Sequence, residues 1–110
     1  MKTTALLIAT LTLALWTAPS TAADVKANWE KHCQKCHGAD GKGDTKMGKK
    51  LGVKDYTDAK VQAEMTDEQI IKLTKEGKKE GDQTKMKPYA DVLSEEEIKA
   101  FVAFIRAMKK

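Results

Sequence analysis

Apolar positions recur at helical spacing in three stretches of the chain, and no stretch shows a convincing strand-like alternation. The last stretch is the clearest. Ile98, Phe101, Val102, Ile105 and Met108 share one helical face, and Ser94 stands ahead of them as an N-cap. Glu97 completes a capping box with Ser94, while Glu95 and Glu96 suit the positive end of the helix dipole. Arg106, Lys109 and Lys110 suit the other end. A second helix is predicted from Thr66, boxed by Gln69, to near Gly77, with Ile70, Leu73 and Ile71 turned inward. The first helix is predicted from about Val25 to Cys36. Asp24 is its cap, and Val25, Trp29 and Cys33 lie one above the other at i, i+4 and i+8. A short helical turn is expected from Asp58. Residues 38–44 carry three glycines and read as a loop able to wrap closely round a ligand edge, and the lysine-rich residues 45–57 fit no element. The expected fold class is all-α.

The chain begins with a different pattern. Lys2 is followed by an uncharged, mostly apolar run from Ala5 to Trp16, then by Ala18-Pro19-Ser20-Thr21-Ala22-Ala23. A basic start, an apolar centre and a small-residue end form a signal peptide, with cleavage expected after Ala22 or Ala23. The apolar run is short for a bilayer, which favours a cleaved leader over an N-terminal anchor. No other stretch is apolar enough for a span, so stable membrane insertion is not expected. Residues 1–23 are therefore expected to be a leader and residues 24–110 a single domain, exported to the periplasm or another lumenal space.

Candidate chemistry lies at the end of the first helix. Cys33-Gln34-Lys35-Cys36-His37 is a C-x-x-C-H sequence, the pattern of c-type haem attachment. Two thiols on one turn can each add to one vinyl group of a haem, and the next residue, His37, is carried under the iron. Two other readings of the cysteines fare worse. A thioredoxin-like dithiol follows a strand in a βαβ setting, and no strand is visible. A zinc site needs two more ligands, yet the chain has no further cysteine and only His32 as a second histidine. His32 precedes the motif and is expected to face solvent.

Composition makes the haem reading more useful. Without the leader the chain is small for a self-sufficient core, its aromatics are Trp29, Tyr56, Tyr89, Phe101 and Phe104, and charged residues make up 33% of the whole sequence. A Cys33–Cys36 disulfide closes too short a loop to constrain much. One buried, covalently attached haem c supplies a large apolar body for short helices to surround.

A thioether sulfur is a common sixth ligand to such an iron. Met108 reads as core on the last helix. Met47 follows His37 too closely to reach the opposite haem face. Met65 stands just ahead of a helix cap, where packing is the ordinary role. Met86 sits in Gln83-Thr84-Lys85-Met86-Lys87-Pro88-Tyr89, an irregular segment between two helices that Pro88 stiffens. Met86 is the first candidate, and Met65 and an open sixth position remain as alternatives.

With C-Q-K-C-H-G, a wrapping loop, an M-x-P-Y segment and a terminal amphipathic helix, residues 24–110 resemble a class I cytochrome c. They are similar to the small soluble bacterial and photosynthetic-type carriers. The resemblance implies three to five helices wrapped round one covalent haem. It implies Cys33 and Cys36 as thioether positions, His37 as proximal ligand and Met86 as distal ligand. It also implies that Trp29 and Phe104 meet where the terminal helices cross. One departure stands out. Many relatives orient the proximal histidine with a proline carbonyl, but no proline lies between Pro19 and Pro88. A carbonyl from residues 45–55 is expected to take that role.

The formal charge is +4, with acids interspersed and no nucleic-acid signature, so no nucleic-acid partner is expected. Lys42, Lys46, Lys49, Lys50 and Lys54 have only Asp44 among them. Lys72, Lys75, Lys78, Lys79, Lys85 and Lys87 flank Met86, together with Glu76, Glu80 and Asp82. These lysines are either ordinary solvated surface or a positive ring that steers redox partner proteins with acidic docking faces. The expected function is that of a monomeric single-electron carrier with no catalytic residues, since two protein ligands leave the iron no place for a substrate. The alternatives are a five-coordinate haem sensor or peroxidase-like protein and, less favoured, a thiol oxidoreductase.

Overall fold

The computed structural model describes residues 9–14 and 21–110. The leader reading falls largely on residues 1–8 and 15–20, which lie outside the described residues. The elements run α1 (Thr21–Asn28), a π-helical turn (Trp29–Cys33), α2 (Gln34–His37), α3 (Lys46–Leu51), α4 (Ala59–Glu64) and α5 (Asp67–Glu76). There follow β1 (Lys78–Glu80), β2 (Gln83–Met86) and α6 (Glu95–Arg106). Because α1, the π turn and α2 are continuous, the described residues form five helical stretches and one small hairpin. No helix among them is long and apolar enough to cross a membrane.

The local signals explain most boundaries. Thr66 Oγ1 accepts from the Gln69 amide and Gln69 Oε1 from the Thr66 amide, so α5 starts on a complete capping box. The same reciprocal pair, Ser94 and Glu97, starts α6. Asp58 caps α4 through the Lys60 amide at 2.8 Å. Thr45 caps α3, which gives helical structure to a stretch the sequence left open.

Three expectations need correction. The first helix begins at Thr21, so Asp24 lies in its first turn instead of capping it. Ala22 and Ala23 are strong helix formers and extend the helix backwards wherever they are present. Met86 is not in an irregular segment. It ends β2, which pairs antiparallel with β1 through the two-residue turn Gly81–Asp82. Neither strand has a buried residue, so neither shows the alternation that marks a half-buried strand. Met108 lies just beyond α6, half-buried against the core instead of within the helix.

α1 and α5 both pack on α6. The core between them is Val25, Trp29, Cys33, Tyr56, Ile70, Leu93, Ile98, Phe101 and Ile105. Trp29 meets Phe104 with ring centroids 5.3 Å apart and Phe101 at 6.4 Å, so the expected aromatic crossing of the terminal helices is present. At the far end of α6, the Arg106 guanidinium gathers several acceptors. Nε and Nη2 donate to Asp67 Oδ1, Nη1 to the carbonyl and side-chain oxygens of Gln62, and Nη2 to the Met65 carbonyl at 2.6 Å. Buried Gln62 passes the link on, donating to the carbonyls of Tyr56 (2.7 Å) and Ile105 (2.9 Å). Arg106→Ala leaves several of these acceptors without partners. It is expected to cost about 1.5–3 kcal/mol in a denaturant titration. An unchanged midpoint would reduce Arg106 to an ordinary surface ion pair.

Candidate functional site

Cys33, Cys36 and His37 share the helical stretch from Thr21 to His37, and its irregular middle sets how they face. In the π turn the Gln34 amide donates to the Trp29 carbonyl five residues back, so side chains beyond it are rotated relative to a regular α-helix. Trp29 anchors the turn. It is 2% exposed, and its Nε1 donates to the Gly38 carbonyl at 2.9 Å, just past the end of α2.

The two cysteines are free thiols, Cys33 buried and Cys36 half-buried. Burial, with a smaller contribution from Cys36, pushes the Cys33 thiol up to about 12. Dithiol redox enzymes need the opposite shift, so the arrangement argues against thiol–disulfide chemistry. Burial lowers His37 to about 4, which leaves a neutral imidazole with a free lone pair at neutral pH.

Two rings hold the imidazole. Tyr56 stacks on it at 5.2 Å and 16°, and Trp29 leans on it at 5.5 Å and 40°. The carbonyl expected from residues 45–55 does not orient it: His37 Nδ1 is buried and has no hydrogen-bond partner. The loop acts on the backbone instead. The Gly43 amide donates to the His37 carbonyl at 2.8 Å, and Thr45 Oγ1 donates to the Cys36 carbonyl at 2.8 Å. α3 lies so close that a Cβ on Gly48 would collide with that Cys36 oxygen. Tyr56 and Thr45 are site residues that the sequence reading missed. Both act across loops, and neither carries a local motif.

His32 is not a free surface group. It is half-buried, with its ring edge-on to Tyr89 at 5.3 Å and 60°. Tyr89 Oη donates to the His32 carbonyl at 3.1 Å. This bond joins the Met86-Lys87-Pro88-Tyr89 segment to the residue before Cys33. Met86 itself is half-buried, three residues or about 10 Å of chain from Tyr89. Met65 and Met108 are engaged elsewhere. Met65 packs on the core beside Arg106, and Met108 covers Gly41.

The residues present fit a haem. Two free thiols lie at C-x-x-C spacing, and a half-buried imidazole whose buried Nδ1 has no partner follows the second. When bound, Cys33 and Cys36 would hold the group, which supplies a ferrous/ferric couple.

A family model described as cytochrome c oxidase, cbb3-type, subunit III, matches residues 20–105. Among solved structures the chain is similar to the KustC0563 c-type cytochrome, at 39% identity and a TM-score of 0.70, covering 77% of this chain and 96% of that one. It is also similar to a tyrosine-to-phenylalanine mutant of Kustc0563, at 38% identity and a TM-score of 0.68, covering 78% and 99%. No curated protein matches. A family match over nearly the whole described domain, joined by relatives of similar extent, places the chain among the c-type cytochromes, as a small class I-like member with covalently attached haem c.

Proposed function

We propose that the protein is an exported, monomeric single-electron carrier. In this reading Cys33 and Cys36 form the thioether bonds, and His37 and Met86 ligate the iron from opposite faces. The observation that carries it is the placement of two free thiols and a half-buried imidazole, packed between Tyr56 and Trp29, within five residues of one helical stretch. His37 supplies a lone pair without first having to lose a proton, and Tyr56 and Trp29 restrict its ring. Met86 offers a soft sulfur from a segment tied to the same helix. With both axial positions taken by the chain, little must rearrange when the iron changes charge, and no position is left for a substrate. Loss of residues 1–23, after Ala22 or Ala23, belongs to the same proposal.

Carbon monoxide tests the axial part. The reduced protein is expected to resist it at neutral pH, and the oxidised protein to show negligible peroxidase turnover. Rapid carbon monoxide binding would instead favour a five-coordinate sensor or peroxidase-like protein.

Partners with acidic docking faces fit the lysines. Lys49 pairs with Asp44 and Lys78 with Glu80 through largely exposed groups that remain available to a partner, while Lys85, also near Glu80, is half-buried. Electron transfer to a negatively charged oxidant is expected to slow as salt rises, because the screening length falls to about 8 Å at physiological ionic strength. A rate flat in salt would leave these lysines as plain solvated surface.

A further inference from the structure

We propose that Gly77 and Tyr89 are positioning residues for Met86, holding the Met86-Lys87-Pro88 backbone between the end of α5 and the thiol-bearing helix. The inference rests on Met86 being the distal ligand, as proposed above.

The hairpin cannot place Met86 unaided. Its register sets Lys78 opposite Met86, but an irregularity lies between Lys78 and Lys79, and β1 is exposed throughout. An isolated two-stranded hairpin is marginal in water. The position of Met86 must therefore come from contacts at its flanks, and three are present.

The first is Gly77. It follows α5 with φ +72°, a conformation L side chains rarely adopt. A Cβ there would collide with the Met86 carbonyl oxygen and lie 2.8 Å from Lys87 C and Pro88 N. The backbone on which Met86 sits is thus flush against residue 77, and only glycine satisfies both the angle and the space.

The second contact uses the open end of α5, whose last carbonyls have no partners within the helix. The Tyr89 amide donates to the Thr74 carbonyl at 3.0 Å and the Ala90 amide to the Lys75 carbonyl at 3.3 Å. The third is the bond from Tyr89 Oη to the His32 carbonyl, with the ring edge resting on His32. His32 lies in the π turn, where the regular helical hydrogen-bond ladder is interrupted and a carbonyl can accept from outside. Gly77 and the α5 carbonyls fix the segment to α5. Tyr89 fixes it to the helix that bears Cys33 and Cys36. The separation between Met86 and those cysteines is thereby set from both sides.

The test uses the haem-loaded protein and its Tyr89→Phe, Gly77→Ala and Met86→Ala variants. Tyr89→Phe keeps the ring and removes one hydrogen bond. Two signals are followed in denaturant: the far-red sulfur-to-iron band and the far-ultraviolet helix signal. Exchange of the Ala90 amide is measured without denaturant. In Tyr89→Phe the band is expected to vanish at lower denaturant while the helix midpoint moves less. Ala90 exchange should rise about fivefold, the size of one ordinary hydrogen bond. Gly77→Ala should do more on both measures. A role in general stability alone would move both midpoints in parallel. Parallel shifts, or unchanged band and exchange in both variants, would overturn the proposal. Met86→Ala separates the two levels. If it keeps the band, the ligand assignment fails. Ala90 exchange then decides the placement alone: faster exchange in Tyr89→Phe upholds the brace, and unchanged exchange refutes it.

Discussion

A Trp29→Ala protein is expected to lose about 3–5 kcal/mol of stability, the usual cost of truncating a buried aromatic and a large share of what a small domain has. Trp29 is 2% exposed, and its indole joins α6 to the segment that carries His37. It packs on Phe101 and Phe104 of α6, leans on His37, and donates to the Gly38 carbonyl. Truncation opens a cavity, leaves that carbonyl without its partner, and releases one of the two rings that restrict the imidazole. Stability should fall in a denaturant titration of the haem-loaded protein. Trp29→Phe should recover part of it by refilling the volume without the hydrogen bond. A Trp29→Ala midpoint near the wild-type value would mean that α1 and α6 do not cross at Trp29.

The second large effect is electronic. Met86→Ala is expected to abolish the far-red band and to lower the reduction potential by an amount on the order of 0.1 V or more, a fraction of the roughly 0.8 V over which axial ligands move haem potentials. Thioether ligation favours the ferrous state, so its loss favours the ferric one. The α5 contacts that hold Met86 remain, and the fold should change little, because Met86 is only half-buried. Met65→Ala should instead cost packing and leave the band in place, since Met65 lies against the core beside Arg106. The reverse pattern would move the sulfur ligand to Met65.

How much of this was legible in the sequence varied with the range of the interaction that decides it. α5 and α6 were readable to their first residues, because a capping box is written within four positions and needs no tertiary partner. The C-x-x-C-H pattern was readable for the same reason. The meeting of Trp29 with Phe104 spans most of the chain, and spacing on the apolar faces suggested it only together with resemblance to a family. The π turn leaves no compositional mark, since one extra residue per turn can be spread over any sequence. The hairpin hid because its strands bury nothing, although Gly81-Asp82 is a turn dipeptide of the kind that joins two strands. The surroundings of His37 were the least readable. A carbonyl was expected there because a proline was missing, whereas the chain restrains the ring with Tyr56, a residue held by Gln62 and, through Gln62, by Arg106. Such a relay involves residues up to 44 positions apart, and no local pattern announces it.

The central claim is that His37 and Met86 hold the iron from opposite faces, and proton magnetic resonance of the reduced protein tests it most directly. A methionine methyl bound over a haem is shifted far upfield by the ring current, out of the range of every other methyl. The expected result is one such three-proton signal in the wild-type protein, lost in Met86→Ala and retained in Met65→Ala. A wild-type spectrum without it, or a signal that survives Met86→Ala, would contradict the claim.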